Sequence, residues 1–432
     1  MDLLNHLLIG FENAVTWTNL LYCFVGVTLG TLVGVLPGMG PVATVAMLLP
    51  ITYALDPSTA LIMLAGIYYG AQYGGSTTAI LVNIPGEASA VVTCLDGHRL
   101  ALAGRAGAAL GIAAIGSFIA GCFATVVIAA FAEPLTQVAF QFGPREYFSL
   151  MVLGLVGAVV LASGSLLKAV GMILIGILLG CVGMDVNSGA LRYVFGVDEL
   201  MDGFDFVALS MGVYGFAEII RNLDVLGDRE AKPVPVGRVL PSKNDLKISA
   251  GPITRGTLIG SFLGILPGGG ALLSSFASYT LEKKLAGEKA IPPFGQGNIR
   301  GVAGPESANN AGAQTSFIPM LTLGIPSNAV MALMIGALML HDIAPGPQVM
   351  TNNPSLFWGL IVSMWIGNVF LVILNIPLIG LWVRLLRVPY RLLLSGDPRF
   401  SARSASIRST TIPSISGSLS ASASSAGSSI NW

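Results

Sequence analysis

The residues best equipped for chemistry in this sequence stand in two polar clusters, each following a glycine- and proline-rich interruption of apolar sequence. Ser76, Thr77, Thr78 and Asn83 form the first. Glu306, Ser307, Asn309, Asn310, Gln314, Thr315 and Ser316 form the second, and Thr322, Ser327 and Asn328 flank Ile325-Pro326. Neutral donors and acceptors of this kind suit a carboxylate ligand, although the same groups also glue membrane helices together. Glu306 is the most telling ionisable residue. A carboxylate at membrane depth is first of all a functional candidate, here for holding a coupling cation or carrying a proton. The competing reading is a boundary carboxylate paired with Arg300. Glu87, Glu133 and Glu218 sit near the ends of apolar runs and are weaker candidates. No catalytic constellation emerges, since His98 and His341 stand far apart in the chain. Cys23, Cys94, Cys122 and Cys181 form no CxxC pair and read as small buried apolar residues. The sequence therefore predicts no enzyme, no metal site and no organic cofactor.

The interruptions themselves are duplicated. Gly30, Gly34, Leu36, Pro37, Gly38 and Gly40 recur at a constant spacing as Gly260, Gly264, Leu266, Pro267, Gly268 and Gly270. Farther on, Gly70-Ala71-Gln72 is echoed by Gly312-Ala313-Gln314, and Asn83-Ile84-Pro85-Gly86 by Gly324-Ile325-Pro326-Ser327. Proline lacks an amide hydrogen and breaks a helix, while the glycines after it allow left-handed or extended backbone. Freed backbone groups are tolerated at membrane depth only inside protein or against a watery cavity. Matched interruptions in two halves of a chain are the best sequence pointer to a carrier's binding site. Helix N-termini there offer amides to an anion, and freed carbonyls can hold a cation. On this reading Gly38, Gly40, Gly268, Gly269 and Gly270 bring backbone close to a solute. Ser76, Thr77, Asn83, Asn309, Asn310, Ser327 and Asn328 supply side-chain contacts, and Glu306 serves the coupling cation or proton.

The elements that must position these residues are membrane helices. The chain has 432 residues, of which 53% are hydrophobic and 10% charged, against about 25% charged in a soluble domain. Its mean hydropathy is +0.77, so lipid must solvate much of its surface. Net charge is zero, and no basic face marks a nucleic-acid partner. Stretches long enough for a span or half-span cover 18–36, 41–54, 59–82, 106–132, 147–162, 165–184, 205–221, 256–278, 313–340 and 355–386. The long ones, 106–132, 313–340 and 355–386, are expected to tilt, break or form hairpins. Basic residues gather at 96–105, 221–255 and 282–300, whereas 185–205 is acidic. The positive-inside rule places the basic loops in the cytoplasm. The N-terminus carries Asp2 and Glu12 and does not read as a cleavable signal peptide.

The predicted fold is therefore all-α: a polytopic membrane protein with two repeated halves and broken or re-entrant helices. Residues 1–222 form the first half, 223–254 a cytoplasmic linker, 255–393 the second half and 394–432 a polar tail. The function read from these features is secondary transport by alternating access, with a site between the halves near the midplane. An ion or solute channel is the alternative, since it also tolerates broken helices but needs a continuous polar pore.

The motifs resemble those of one family. Gly34-Val35-Leu36-Pro37-Gly38-Met39-Gly40-Pro41, Ala65-Gly66-Ile67-Tyr68-Tyr69-Gly70-Ala71-Gln72-Tyr73-Gly74-Gly75-Ser76 and Asn83-Ile84-Pro85-Gly86 are similar to the large membrane subunit of the tripartite tricarboxylate transporters. So are Asp96-Gly97, Gly304-Pro305-Glu306-Ser307-Ala308-Asn309-Asn310-Ala311, Leu323-Gly324-Ile325-Pro326, His341 and Pro345-Gly346-Pro347, and the likeness covers about residues 1–393. The resemblance implies a multi-pass permease of the bacterial inner membrane. Its partners would be a small transmembrane subunit and a periplasmic solute-binding protein. It would import carboxylates such as citrate on a Na+ or H+ gradient.

The tail departs from the family's pattern, which continues with further membrane helices. Residues 395–432 hold 14 serines with Arg399, Arg403 and Arg408 and no spanning run. A disordered polar segment is one reading; a frameshift is the other. Phe400 to Ile407 can be encoded so that the same bases, read two positions on, spell Phe-Cys-Ala-Ile-Gly-Val-Tyr, a membrane-like run.

Overall fold

The computed structural model describes residues 3–36, 40–161, 165–184, 190–201, 203–204, 208–209, 212–213, 234–266, 270–287 and 290–386. Gly38, Gly268 and Gly269 lie outside these residues, as do Pro37, Pro267, the tail 394–432 and nearly all of the candidate span 205–221. The helices of the first half are α1 Leu3–Ala14, α2 Trp17–Val35, α3 Pro41–Thr52, α4 Pro57–Val82, α5 Ala106–Ala139, α6 Pro144–Leu161 and α7 Leu166–Gly180. Those of the second are α8 Lys243–Leu263, α9 Gly270–Ala286, α10 Arg300–Thr315, α11 Phe317–Leu323, α12 Ala329–Leu340, α13 Pro354–Asn375 and α14 Ile379–Leu385. Among the described residues the sheet content is one pair of two-residue strands, Gly183–Met184 and Leu191–Arg192. The helices α2, α13 and the stretch Ala101–Ala139 containing α5 are long and apolar enough to cross a membrane. The fold is thus all-α, as the composition requires.

Local sequence starts these helices where expected. Thr16 caps α2 by accepting the Asn19 amide, Asp56 caps α4 by accepting the Ser58 amide ahead of Pro57, and Ser242 with Asp245 forms a capping box on α8. That last helix begins at Lys243, so the final third of the segment read as a linker is helix. Both interruptions break their helices: α2 ends at Val35 and α3 begins at Pro41, while α8 ends at Leu263 and α9 begins at Gly270. Of the three long stretches, the one beginning at 106 stays a single helix. The one at 313–340 divides among α10, α11 and α12, and that at 355–386 divides into α13 and α14. Pro319 cannot donate to the Thr315 carbonyl, which accounts for the division after α10.

Two helices form the centre. Every residue of α4 from Ser58 to Leu81, and every residue of α10 from Gly301 to Thr315, is buried. Small residues allow this. A methyl group added to Gly26, Gly30 or Gly34 of α2 would lie 2.3, 2.3 or 2.4 Å from the carbonyl oxygens of Met63, Ile67 and Ala71. In the second half, methyls at Gly256, Gly260 and Gly264 of α8 would lie 2.2, 2.3 or 2.5 Å from those of Gly304, Ala308 and Gly312. The two glycine ladders are laid out alike, 230 positions apart on α2 and α8 and 241 apart on α4 and α10. The register of 241 also relates Asn83 to Gly324, both left-handed C-caps, at φ 57° and 70°. The pairing of Gly70-Ala71-Gln72 with Gly312-Ala313-Gln314 is one residue out of this packing register, because Ala71 rather than Gly70 takes the place of Gly312.

Polar pins hold the frame, two of them crossing between the halves and one, Arg255 with Glu282, within the second. Asp96 is fully buried. Its Oδ1 accepts the amides of Gly295, Gly297 and Asn298 at 2.9, 2.9 and 2.7 Å, and its Oδ2 the Tyr279 hydroxyl at 2.9 Å. Arg255 forks onto both oxygens of Glu282 at 2.6 and 2.8 Å, and Arg105 reaches Asp245.

Candidate functional site

Glu306 on α10 is 1% exposed. Its Oε2 accepts the Ser76 hydroxyl of α4, and its Oε1 accepts the hydroxyl of Thr93 in the segment that follows α4. Arg300 is not its partner. That arginine sits six residues back along α10, on the wall of a separate cavity of about 530 Å³ that it shares with Arg105, Asn298 and Asp245. The boundary-pair reading of Glu306 is therefore overturned: the carboxylate faces two hydroxyls from the other half of the chain.

One helical turn on, a second carboxylate joins. The Ser89 hydroxyl lies against Glu87 Oε1, 3.0 Å from Gln72 Oε1 and 2.9 Å from Asn309 Oδ1. Asn309 Nδ2 donates to Glu87 Oε1 at 3.2 Å. The Ser275 hydroxyl of α9 donates to the Ser89 carbonyl at 3.0 Å. Among the described residues neither Glu87 nor Glu306 makes an ion pair. Glu306 is thus buried and Glu87 half-buried, with amides and hydroxyls around them and no cationic side chain paired to either among the described residues. Ionised carboxylates without a counter-charge are costly at such depth, so the arrangement can accommodate a cation or protons.

The other sequence candidates divide between this centre and the frame. Asn328 caps α12 by accepting the Met331 amide and donates to the Tyr68 hydroxyl at 3.2 Å. Ser327 donates to the Ser316 carbonyl at 3.1 Å. Gly270 opens α9 with φ +52°, and a methyl there would lie 3.6 Å from Asn328 Nδ2. Gly40 precedes α3 with open space beside it. Asn310 turns away, donating to Ser117 of α5 at 2.7 Å. Thr77 bonds the Tyr73 carbonyl at 3.3 Å and, with Tyr73, Ser76, Ser117 and Asn375, lines a cavity of about 10 Å³, room for one water at most. Asn83 is exposed and ends α4. Thr78 and Ser316 place hydroxyls 3.2 and 3.3 Å from the carbonyls of Gly34 and Gly264, satisfying backbone that the helix breaks release.

A family comparison bears on this geometry. The model of the tripartite tricarboxylate transporter TctA family matches residues 20–396. The chain belongs to that family. Among curated relatives, an uncharacterized 52.8 kDa protein in the TAR-I ttuC' 3' region of Agrobacterium vitis is 59% identical over 402 residues, which is 93% of this chain and 80% of the relative. An uncharacterized protein in the TAR-II ttuC' 3' region of the same organism is 66% identical over 134 residues, 31% of this chain and 54% of the relative. No solved structure matches. TctA membership makes the chain a membrane transport protein, and the Glu306 cluster falls within the matched residues.

Several members of the polar centre escape sequence reasoning. Gln72, Ser89, Thr93 and Tyr68 do not stand out in the sequence as site candidates, and Glu87 does so only weakly. A usable signal existed, because Glu87 follows the Asn83-Ile84-Pro85-Gly86 motif directly and matches Asn328 in the register of 241. Thr93 carries no such mark, since only the fold brings it to Glu306.

Proposed function

We propose that this chain is the permease subunit of a cation-coupled, binding-protein-dependent secondary transporter that imports carboxylates such as tricarboxylates. The observation that carries this reading is the pair of carboxylates, Glu306 and Glu87, held between the two halves by hydroxyls and amides with no cationic partner among the described residues. Such a centre can load a cation or proton and release it when the halves move apart. The N-termini of α3, α9 and α12 supply amides suited to an anionic solute. Gly40, Gly270, Ser327 and Asn328 lie at or beside those termini and are the contacts proposed for the carboxylate. Gly38, Gly268 and Gly269 are proposed with them on the strength of the motif, and Ser76, Thr77, Asn309 and Asn310 as the polar surround. The matched glycine ladders support duplicated halves that work by alternating access.

On this reading the chain is a multi-pass protein of a bacterial inner membrane with its basic segments inside. It functions with a small transmembrane subunit and a periplasmic solute-binding protein that selects the solute. The test is reconstitution of the three components in proteoliposomes. Labelled citrate and other carboxylates are offered with an inward Na+ or H+ gradient. Saturable accumulation against the solute's own gradient is expected, collapsing when the cation gradient is dissipated and lost in Glu306→Gln. Non-saturable equilibration would indicate a channel instead.

A further inference from the structure

We infer that Glu87, Ser89, Gln72 and Asn309 form a Na+ site that exists on one side of the duplicated frame only. The argument begins with protons. Three oxygens, Glu87 Oε1, Gln72 Oε1 and Asn309 Oδ1, converge on the Ser89 hydroxyl, which has one proton to give. The amide nitrogen of Asn309 is committed to Glu87, so its oxygen must face Ser89. The single Ser89 proton can serve only one of the Glu87 and Asn309 oxygens at a time, so the cluster, in which Asn309 and Gln72 are 0% and 1% exposed, holds more acceptors than the hydroxyl can satisfy. A set of one carboxylate, two amide carbonyls and a hydroxyl is the hard-oxygen chemistry that binds a small cation. It also supplies the counter-charge the carboxylate lacks.

The same molecule contains a control. In the register of 241, Glu87 corresponds to Asn328 and Tyr68 to Asn309. The Glu87–Asn309 contact across the halves is therefore repeated as the Asn328–Tyr68 contact. There a neutral amide and a phenol make one ordinary hydrogen bond, and the positions of Gln72 and Ser89 are taken by Ala313 and Val330. Packing the two halves together thus does not require a carboxylate. Its presence on one side, with a surplus of acceptors around it, is explained by a ligand.

This inference deepens the carrier reading and rests on it for the role of the cation, but binding is measurable without transport. Purified full-length chain in detergent and choline buffer is titrated with ²²Na+ by equilibrium dialysis. Saturable binding is expected. Ser89→Ala should weaken it about tenfold or more, Glu87→Gln should abolish it, and Gly171→Ala, in open space on α7, should leave it unchanged. Gel-filtration profiles identify any variant that fails to fold, and the other variant then decides. Absence of saturable ²²Na+ binding, or equal affinity in parent, Ser89→Ala and Glu87→Gln, overturns the site. Uptake driven by a pH gradient alone also overturns it while leaving the carrier reading intact. Na+ binding without any solute uptake does the reverse.

Discussion

Replacing Glu306 separates charge from packing more cleanly than any other single change. Glutamine has the shape of glutamate, and its amide can donate to the Ser76 hydroxyl while its oxygen accepts from Thr93. Ser76 would then pass its own proton to the Gln72 carbonyl, already 2.9 Å away. Both hydroxyls keep partners, and the one amide hydrogen left over costs less than the buried ionisable group that is gone. Glu306→Gln should therefore be at least as stable as the parent. Glu306→Ala differs: Ser76 keeps its bond to the Gln72 carbonyl, but the buried Thr93 hydroxyl is stranded at about 1–3 kcal/mol and a void opens in fully buried surroundings, for a total of about 3 kcal/mol or more. The assay is thermal unfolding of purified protein followed by fluorescence-detected gel filtration, run beside uptake in proteoliposomes. Both variants should lose cation-coupled uptake, but only alanine should lower Tm. Unchanged uptake in Glu306→Gln would refute the role assigned to the charge. A large loss of stability in Glu306→Gln would refute the hydroxyl arrangement.

Other perturbations test the frame. Gly30→Ala and Gly260→Ala each place a methyl 2.3 Å from a carbonyl oxygen and should destabilise by about 1–3 kcal/mol. Gly171→Ala on α7, with open space around it, should be neutral or slightly stabilising in the same unfolding assay. Asp96→Ala leaves three backbone amides and the Tyr279 hydroxyl without their acceptor and should cost about 3 kcal/mol or more, read as a fall in Tm. At the polar start of α8, burial pushes the Asp245 carboxyl up, but the Ser242 hydroxyl and amide and the Arg105 guanidinium outweigh it and hold the carboxyl below its usual range. A depressed carboxylate stabilises the fold above its unfolded pKa and loses that contribution as pH falls through the folded one. Asp245→Asn should therefore lower Tm at neutral pH, with the gap to the parent closing below about pH 4.

The frame was legible because its physics is local. Gly30, Gly34, Gly260 and Gly264 announce close helix contacts by type and spacing, and the helix breaks follow from proline and glycine alone. The chemical centre was legible only in part. Glu306 and Asn309 stand out as polar residues in a buried helix. Thr93, Ser89 and Gln72 do not, because their importance comes from a crossing of α4 and α10 that brings positions more than 200 residues apart into contact. Asn310 shows the converse. It lies beside Asn309 in sequence, yet a helix turns adjacent residues about 100° apart, so its amide faces Ser117 instead.

The register of 241 gives this division a sharper meaning. Glu306, Ser76 and Thr93 correspond to Ala65, Phe317 and Met334, and all three of these are buried apolar residues. Both carboxylate clusters therefore stand beside one of the two matched glycine ladders alone. A frame of two like halves needs matched packing, and the glycine ladders provide it twice over. Coupling one solute to another needs the opposite, since two equivalent sites would load the same ligand. The uncharged side keeps Asn328, Ser327 and Gly270 at helix starts that favour an anion, while the charged side gathers oxygens that favour a cation. On the carrier reading, the departure from repetition is what lets a duplicated frame bind two solutes of opposite charge. Exchanging Glu87 and Asn328 in a double variant tests that logic. It should preserve the packing between halves and abolish Na+ binding, because Ala313 and Val330 cannot replace the oxygens of Gln72 and Ser89.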